Sequence, residues 1–344
     1  MKANVLFGIN DLRYVNVDRP VLKSDEVLVQ VHAAGICGSD VARIFTSGTY
    51  HFPTIMGHEF SGEIVLTNVG DEYLQGKRVA VYPLIPCKQC NSCKQRKYEL
   101  CSSYNYLGSR CNGGFAEYVA VPKWNLAFIS DNISFEDAAM IEPAAVALHA
   151  LCIAELKQGD TIAIIGPGTI GILLAQLSMI HGAGKVLLIG RSQQKLNFAK
   201  KMGIENSCNS TICNVPEWIA EQTDGKNADV VIEGTGAEAS LVMALNMVKS
   251  SGVIIAMGNP VDDMHLPKID YWKLLRKQLS IRGVWNSTYG TPESNWGRII
   301  SLIEEGKLKP SNLITHRLPL PDLLEGANMM RNKNIYTNKI MITL

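Results

Sequence analysis

Four cysteines in the pattern Cys87-x2-Cys90-x2-Cys93-x7-Cys101 constrain this chain more than any other feature. Thiols at such intervals, with a fourth one loop later, wrap a backbone around one tetrahedral zinc ion with Zn–S bonds of about 2.3 Å. Four thiolates close the coordination sphere, so the expected task of this metal is to hold a lobe together and not to do chemistry. Compact four-ligand spacing favours this over a set of ordinary buried thiols. Disulfides are disfavoured as well. The chain opens MKANVLFGIN, with no apolar core long enough for a signal peptide, so a reducing, cytoplasmic location is expected. Cys111, Cys152, Cys208 and Cys213 fall in no metal-ligand spacing and read as buried thiols.

A length of 344 residues suits about two domains, and a chain 47% hydrophobic and 19% charged has the balance of a globular protein with a large core. No apolar stretch reaches the about 18 residues needed to span a bilayer. Thirty-three basic and 32 acidic side chains leave a formal charge of +1, which gives no footprint for nucleic acid or an anionic membrane. The basic run at residues 94–97 lies inside the cysteine loop and reads as its solvated face.

Residues 1–150 carry short β-type runs broken by turn signals, at 26–33, 62–67, 77–82 and 115–121, which predicts a β-rich, barrel-like or sandwich lobe. Near Asp160 the texture changes. Apolar runs at 161–165, 186–189, 228–233, 253–257 and 279–284 alternate with helix-length segments such as 172–181 and 193–202. That alternation predicts an α/β unit with a doubly wound parallel sheet of the Rossmann kind. A helix over 296–305 and two extended pieces close the chain. A last strand at 336–344 returning to the first lobe would divide the chain into 1–150 with 293–344 and 151–292.

The first apolar run of the second part ends in Gly166-Pro-Gly168-Thr-Ile-Gly171 and opens a helical pattern, the context in which G-x-G-x-x-G is informative. The first glycine permits a tight turn, the second lets backbone approach a pyrophosphate, and the third allows close helix–strand packing. Gly166, Gly168, Thr169, Ile170 and Gly171 are therefore the expected dinucleotide turn, with free N–H groups at the helix start. An acidic residue is expected at the end of the next strand to hold the ribose hydroxyls. Here Gly190 stands there, followed by Arg191 and Ser192, with Lys195 one turn on. Loss of the carboxylate and gain of a guanidinium favour NADP(H). NAD(H) stays open if Arg191 points to solvent.

Cys37-Gly-Ser39-Asp and Gly57-His58-Glu59 lie about twenty residues apart, outside the cysteine loop, and Glu142 adds a further acid. Thiolate, imidazole and carboxylate are the ligands of an open, catalytic zinc site. Such a zinc acidifies an alcohol so that hydride can leave its carbon for a nicotinamide. Ser39, beside the metal ligand, is the expected first carrier of the alcohol proton.

With a closed zinc loop, an open zinc site and a dinucleotide turn in this order, the chain resembles the zinc-dependent medium-chain dehydrogenases/reductases over its whole length. The resemblance implies a GroES-like catalytic domain and a Rossmann coenzyme domain, with two zinc ions per subunit and an assembly of two or four copies. It places the catalytic zinc on Cys37 and His58, with Glu59 or Glu142 as third ligand, and puts Met257, Gly258, Asn259, Val284, Trp285 and Asn286 near the nicotinamide. Ile141-Glu142-Pro143 resembles the polyol dehydrogenase branch, in which the glutamate binds the metal or orients its water. Within that branch, residues 37–45, 83–87 and 108–118 are similar to the galactitol-phosphate dehydrogenases, which implies oxidation of galactitol 1-phosphate to tagatose 6-phosphate. Those enzymes use NAD, against the reading of Gly190-Arg191. Sorbitol dehydrogenases have Arg-Tyr where Trp285-Asn286 stands, which argues against plain sorbitol. Arg110 is a candidate contact for a substrate phosphate or a loop arginine, and Tyr50 a wall of the substrate cleft or a core aromatic. Unphosphorylated polyols (sorbitol, xylitol or butanediol), threonine oxidation at C3, and a non-catalytic cofactor-binding protein are the alternatives.

Overall fold

The strand Glu26–Ile36 is buried along almost its whole length, and the reason is that three other strands hydrogen-bond to it. Glu59–Leu66, Tyr118–Pro122 and Lys339–Thr343 all pair with it antiparallel. The structure, a computed structural model, describes residues 1–260 and 262–344. It divides into two units, Met1–Glu142 with Thr288–Leu344, and Pro143–Ser287.

In the first unit a seven-stranded mixed sheet runs Leu126–Phe128, Arg78–Val81, Glu59–Leu66, Glu26–Ile36, Lys339–Thr343 and Ile314–Pro319, with Tyr118–Pro122 attached to Glu26–Ile36 off that path. Lys2–Gly8, Asp11–Asn16 and Thr54–Ile55 form a small second sheet. Val29, Ile36, Phe60, Ile64, Phe115 and Ile340 belong to one buried apolar cluster that the large sheet encloses. The last strand thus joins a sheet built mostly from the first third of the chain: Ile340 is opposite Ile36 and Met341 opposite Gly35. Ile314–Pro319 lies parallel to the terminal strand, a pairing that its local sequence does not announce.

The second unit is a six-stranded sheet in the order Ser207–Asn209, Lys185–Gly190, Thr161–Ile165, Ala228–Glu233, Val248–Ala256 and Ser280–Gly283, parallel throughout. Counted within the unit this is 3-2-1-4-5-6, the doubly wound order, with its switch point between the first and fourth strands. Helices Thr169–Ile180, Gln193–Lys201 and Glu238–Met247 provide crossovers. Ser207–Asn209 was not expected. At three residues without an apolar run it lacks the signal of a strand, and it exists because the open edge of Lys185–Gly190 accepts it. The division at 142/143 also differs from the expected 150/151, since the helix Ile141–Ala154 contains it. Among the described residues no helix is long and apolar enough to cross a membrane.

Gly62 shows how tightly the first sheet closes. It pairs with Val31 beside a register shift, and a Cβ there would stand 1.9 Å from the Gln30 carbonyl oxygen. Backbone cannot yield as a side chain can. Gly62→Ala is therefore expected to cost about 1–3 kcal/mol, read as a lower denaturant midpoint; an unchanged midpoint would show that the sheet relaxes freely.

Candidate active site

Cys37 follows the long strand Glu26–Ile36 and is the N-cap of the short helix Gly38–Ala42. Its amide donates to Asp40 Oδ2 at 3.0 Å, which ties the thiol's backbone to the first helical turn. His58 follows Gly57, whose φ of +95° and crowding by Phe115 leave no room for a side chain. Glu59 begins the next strand opposite Gly35, where a Cβ would stand 2.3 Å from the Glu59 carboxylate. These placements bring one ligand atom each of Cys37, His58 and Glu59 within 4.8 Å of one another. Glu142 lies outside that group. Its Oε1 accepts a hydrogen bond from the Tyr106 hydroxyl at 3.4 Å, and burial drives its carboxyl up to about 7.

The cluster fits a zinc ion by its donor set of sulfur, nitrogen and oxygen, three ligands that leave a coordination position open. Asp40 supports it from behind. This fully buried carboxylate is ion-paired with His58, its Oδ1 lying 3.3 Å from Nδ1, although neither atom makes a hydrogen bond. Burial works against a charged imidazole, yet Asp40 lifts the His58 pKa well above its ordinary value. Lys339, 3% exposed, forms an ion pair with Glu59 Oε2 and donates to the Ile36 carbonyl at 3.2 Å. Arg43 Nη1 donates to Ser39 Oγ at 2.8 Å and lies 3.7 Å from Asp40 Oδ1. With its oxygen accepting from Arg43, the Ser39 hydroxyl is free to donate elsewhere.

The four-cysteine loop gathers as its spacing predicts. Cys87, Cys90, Cys93 and Cys101 place their sulfurs within 4.8 Å of one another. Two separations are 4.0 Å (Cys87 to Cys93) and 3.9 Å (Cys90 to Cys101), close to the about 3.8 Å edge of a tetrahedron with Zn–S bonds of 2.3 Å. The Cys93 amide helps hold the Cys90 thiol down to about 5, while burial pushes Cys93 up to about 12. A divalent cation is what lets four crowded thiols all lose their protons.

The dinucleotide residues of the second unit share one edge of its sheet, beyond the carboxyl ends of the parallel strands. Gly166 turns with φ +114° after Thr161–Ile165, Gly168 caps the helix that starts at Thr169 and Ile170, and a Cβ on Gly171 would stand 1.9 Å from the Gly166 carbonyl oxygen. Met257 and Gly258 follow Val248–Ala256, and both amides donate to the Glu233 carbonyl; Asn259 comes next. Val284 donates to the Ala256 carbonyl, Trp285 is half exposed, and Asn286 sits at φ +53° with a buried, unpartnered Nδ2. Gly190 has no room for a side chain: a Cβ would meet Pro167 Cγ at 2.4 Å. Arg191 is exposed, Ser192 Oγ caps the next helix by accepting the Lys195 amide, and burial lowers the Lys195 pKa.

Two family descriptions match the chain: "Alcohol dehydrogenase GroES-like domain" over residues 23–131 and "Zinc-binding dehydrogenase" over 169–305. The chain belongs to the zinc-binding alcohol dehydrogenases. It is 35% identical over 295 residues to galactitol 1-phosphate 5-dehydrogenase of Escherichia coli K12, covering 85% of each chain. Sorbitol dehydrogenase of Bacillus subtilis is 30% identical over 352 residues, covering 99% of this chain and 97% of that one. The crystal structure of galactitol-1-phosphate dehydrogenase from Escherichia coli superposes with a TM-score of 0.93 at 32% identity, covering all of both chains. As a member of this family the protein is an oxidoreductase, with a GroES-like and a Rossmann domain.

Sequence reasoning did not single out Asp40, Arg43, Tyr106 or Lys339. Asp40 and Arg43 were within reach, three and six residues after Cys37, the first on the helix Gly38–Ala42 and the second just past its end. Lys339 was not, because it meets Glu59 across 280 residues of chain. Asp40→Asn, which keeps shape and removes charge, is expected to weaken zinc at the Cys37 cluster of this dehydrogenase about 10–100-fold in competition with a chromophoric chelator. Wild-type affinity in that variant would deny Asp40 its orienting role.

Proposed function

We propose that the protein oxidises a secondary alcohol of a phosphorylated hexitol, galactitol 1-phosphate to tagatose 6-phosphate, with reversible transfer of hydride to NADP⁺. The convergence of Cys37, His58 and Glu59 around an open position, braced by Asp40 and Lys339, is the observation that carries the chemistry. Zinc on those three residues supplies a Lewis acid for the alcohol oxygen, and the nicotinamide supplies the hydride acceptor. Ser39 takes the alcohol proton on its remaining lone pair and passes on its own, while Arg43 holds the hydroxyl in place by donating to its oxygen. Glu142, buried and hydrogen-bonded by Tyr106, orients the alcohol or the water that it replaces. The four thiols of Cys87, Cys90, Cys93 and Cys101 hold a second zinc that keeps its lobe folded.

The similarity to galactitol 1-phosphate 5-dehydrogenase supports the phosphorylated substrate. Sorbitol dehydrogenase, similar over nearly the whole chain, supports the second reading, an unphosphorylated polyol. For the cofactor, Pro167 already fills the space a carboxylate at 190 would need, which favours a 2′-phosphate read by Arg191 and Lys195. Two or four copies per assembly belong to the same reading, supported by the open edge strand Ser280–Gly283 with its exposed Ile281.

Initial rates of nicotinamide reduction with galactitol 1-phosphate, sorbitol and xylitol, each with NAD⁺ and NADP⁺, test the assignment. The phosphorylated hexitol with NADP⁺ is the expected best pair; faster oxidation of free polyols would move the protein to the second reading. Cys37→Ser is expected to lose one zinc and all turnover, and activity surviving that loss would refute the mechanism. Arg191→Ala should lower the kcat/KM ratio of NADP⁺ to NAD⁺ about 10–100-fold, the worth of a charged hydrogen bond. An unmoved ratio would return the cofactor to NAD(H).

A further inference from the structure

Arg110 is a cation without a counter-charge. Among the described residues no carboxylate pairs with it, and its side chain makes no hydrogen bond to the protein; Nε is sealed from solvent without a partner. Two aromatic rings hold it instead, with Cζ 3.9 Å from the ring centroid of Tyr50 and 4.6 Å from that of Tyr104. Rings against its faces leave a guanidinium its in-plane N–H donors, the edge that binds a phosphate or carboxylate in bidentate fashion.

The root of the side chain is fixed and lies beside the metal cluster. The Arg110 amide donates to the Tyr106 carbonyl at 2.9 Å, the Tyr50 amide donates to the Ser109 carbonyl at 3.3 Å, and His51 Nε2 lies 3.1 Å from the Arg110 carbonyl oxygen. At Gly108 and Gly113 a Cβ would stand 2.6 and 2.1 Å from the carbonyl oxygen of Gly57, so this loop packs backbone to backbone on the residue before His58. Rings connect the two places. Tyr104 meets Tyr106 edge-on at 6.3 Å, and Tyr106 reaches His58 at 5.8 Å between centroids and Glu142 through its hydroxyl.

We propose that Arg110, held by Tyr50 and Tyr104, is the anion receptor that selects a polyol carrying a phosphate at the end remote from the reacting carbinol. This rests on the phosphorylated-polyol reading above. An open-chain polyol with its alcohol at the Cys37–His58–Glu59 cluster would run past Tyr106 and Tyr104 to the guanidinium. Tyr50, 66% exposed, makes the outer wall of that mouth.

Calorimetric titration of the zinc-loaded full chain with galactitol 1-phosphate and with galactitol tests this without requiring turnover. Wild type is expected to bind the ester more tightly. Arg110→Met should weaken the ester about 10–100-fold relative to the free polyol. Arg110→Lys should recover part of the loss, because it restores the charge without the planar fork. Equal weakening of both ligands would make Arg110 a structural residue, and an unaffected ester, or one bound no better than galactitol, would remove the receptor. If rate assays show wild type oxidising free polyols by preference while Arg110→Met still loses the ester, the substrate assignment fails and the anion receptor stands.

Discussion

A buried ammonium meets a buried carboxylate where Lys339 pairs with Glu59, and much of the first unit is arranged around that meeting. Neither group could be buried alone, since an unpaired charge in a protein interior is costly and breaking such a pair costs about 3–5 kcal/mol. Lys339 begins the last strand of the chain, and Glu59 begins a strand of the first third. Both strands flank Glu26–Ile36, in which Gly35 leaves open the space the carboxylate occupies. Sheet closure, the return of the last strand and the aim of a candidate metal ligand are therefore one structural event.

Around that pair the charges are unevenly distributed. Asp40, Glu59 and Glu142 are all buried near Cys37 and His58, against Lys339 and the partly buried Arg43. Burial drives the Glu142 carboxyl up to about 7. A divalent ion suits such a site. The four-cysteine loop meets the same need differently, with ligands supplied by one short stretch, so its geometry depends little on the rest of the fold. One candidate metal cluster is thus local and fully liganded by thiols, the other assembled from distant segments with a position left open.

The dinucleotide edge of the second unit depends on close backbone approach. Gly171 sits against the Gly166 carbonyl, and Gly190 against Pro167. The second contact has a chemical consequence: packing of the turn on the neighbouring strand end excludes a carboxylate from the position where it would repel a 2′-phosphate. The proposed preference for NADP(H) therefore rests on steric fit as much as on the charge of Arg191.

Local pattern carried a great deal of this protein. Cysteine spacing by itself determined the closed metal loop, and apolar runs alternating with helical segments determined the parallel sheet, because ligand spacing and hydrophobic period are properties of neighbouring residues. The edge strand Ser207–Asn209 escaped because three half-polar residues become a strand only when a neighbour offers its edge. Sequence brought Cys37, His58, Glu59 and Glu142 forward as candidates but could not rank the two glutamates. Tertiary structure grouped Glu59 with Cys37 and His58 and gave Glu142 to Tyr106. It also decided that Lys339 would neutralise Glu59 and that Arg110 would rest on two tyrosines. Those partners are set by strand register and loop packing across tens to hundreds of residues, and no local pattern encodes contacts of that range.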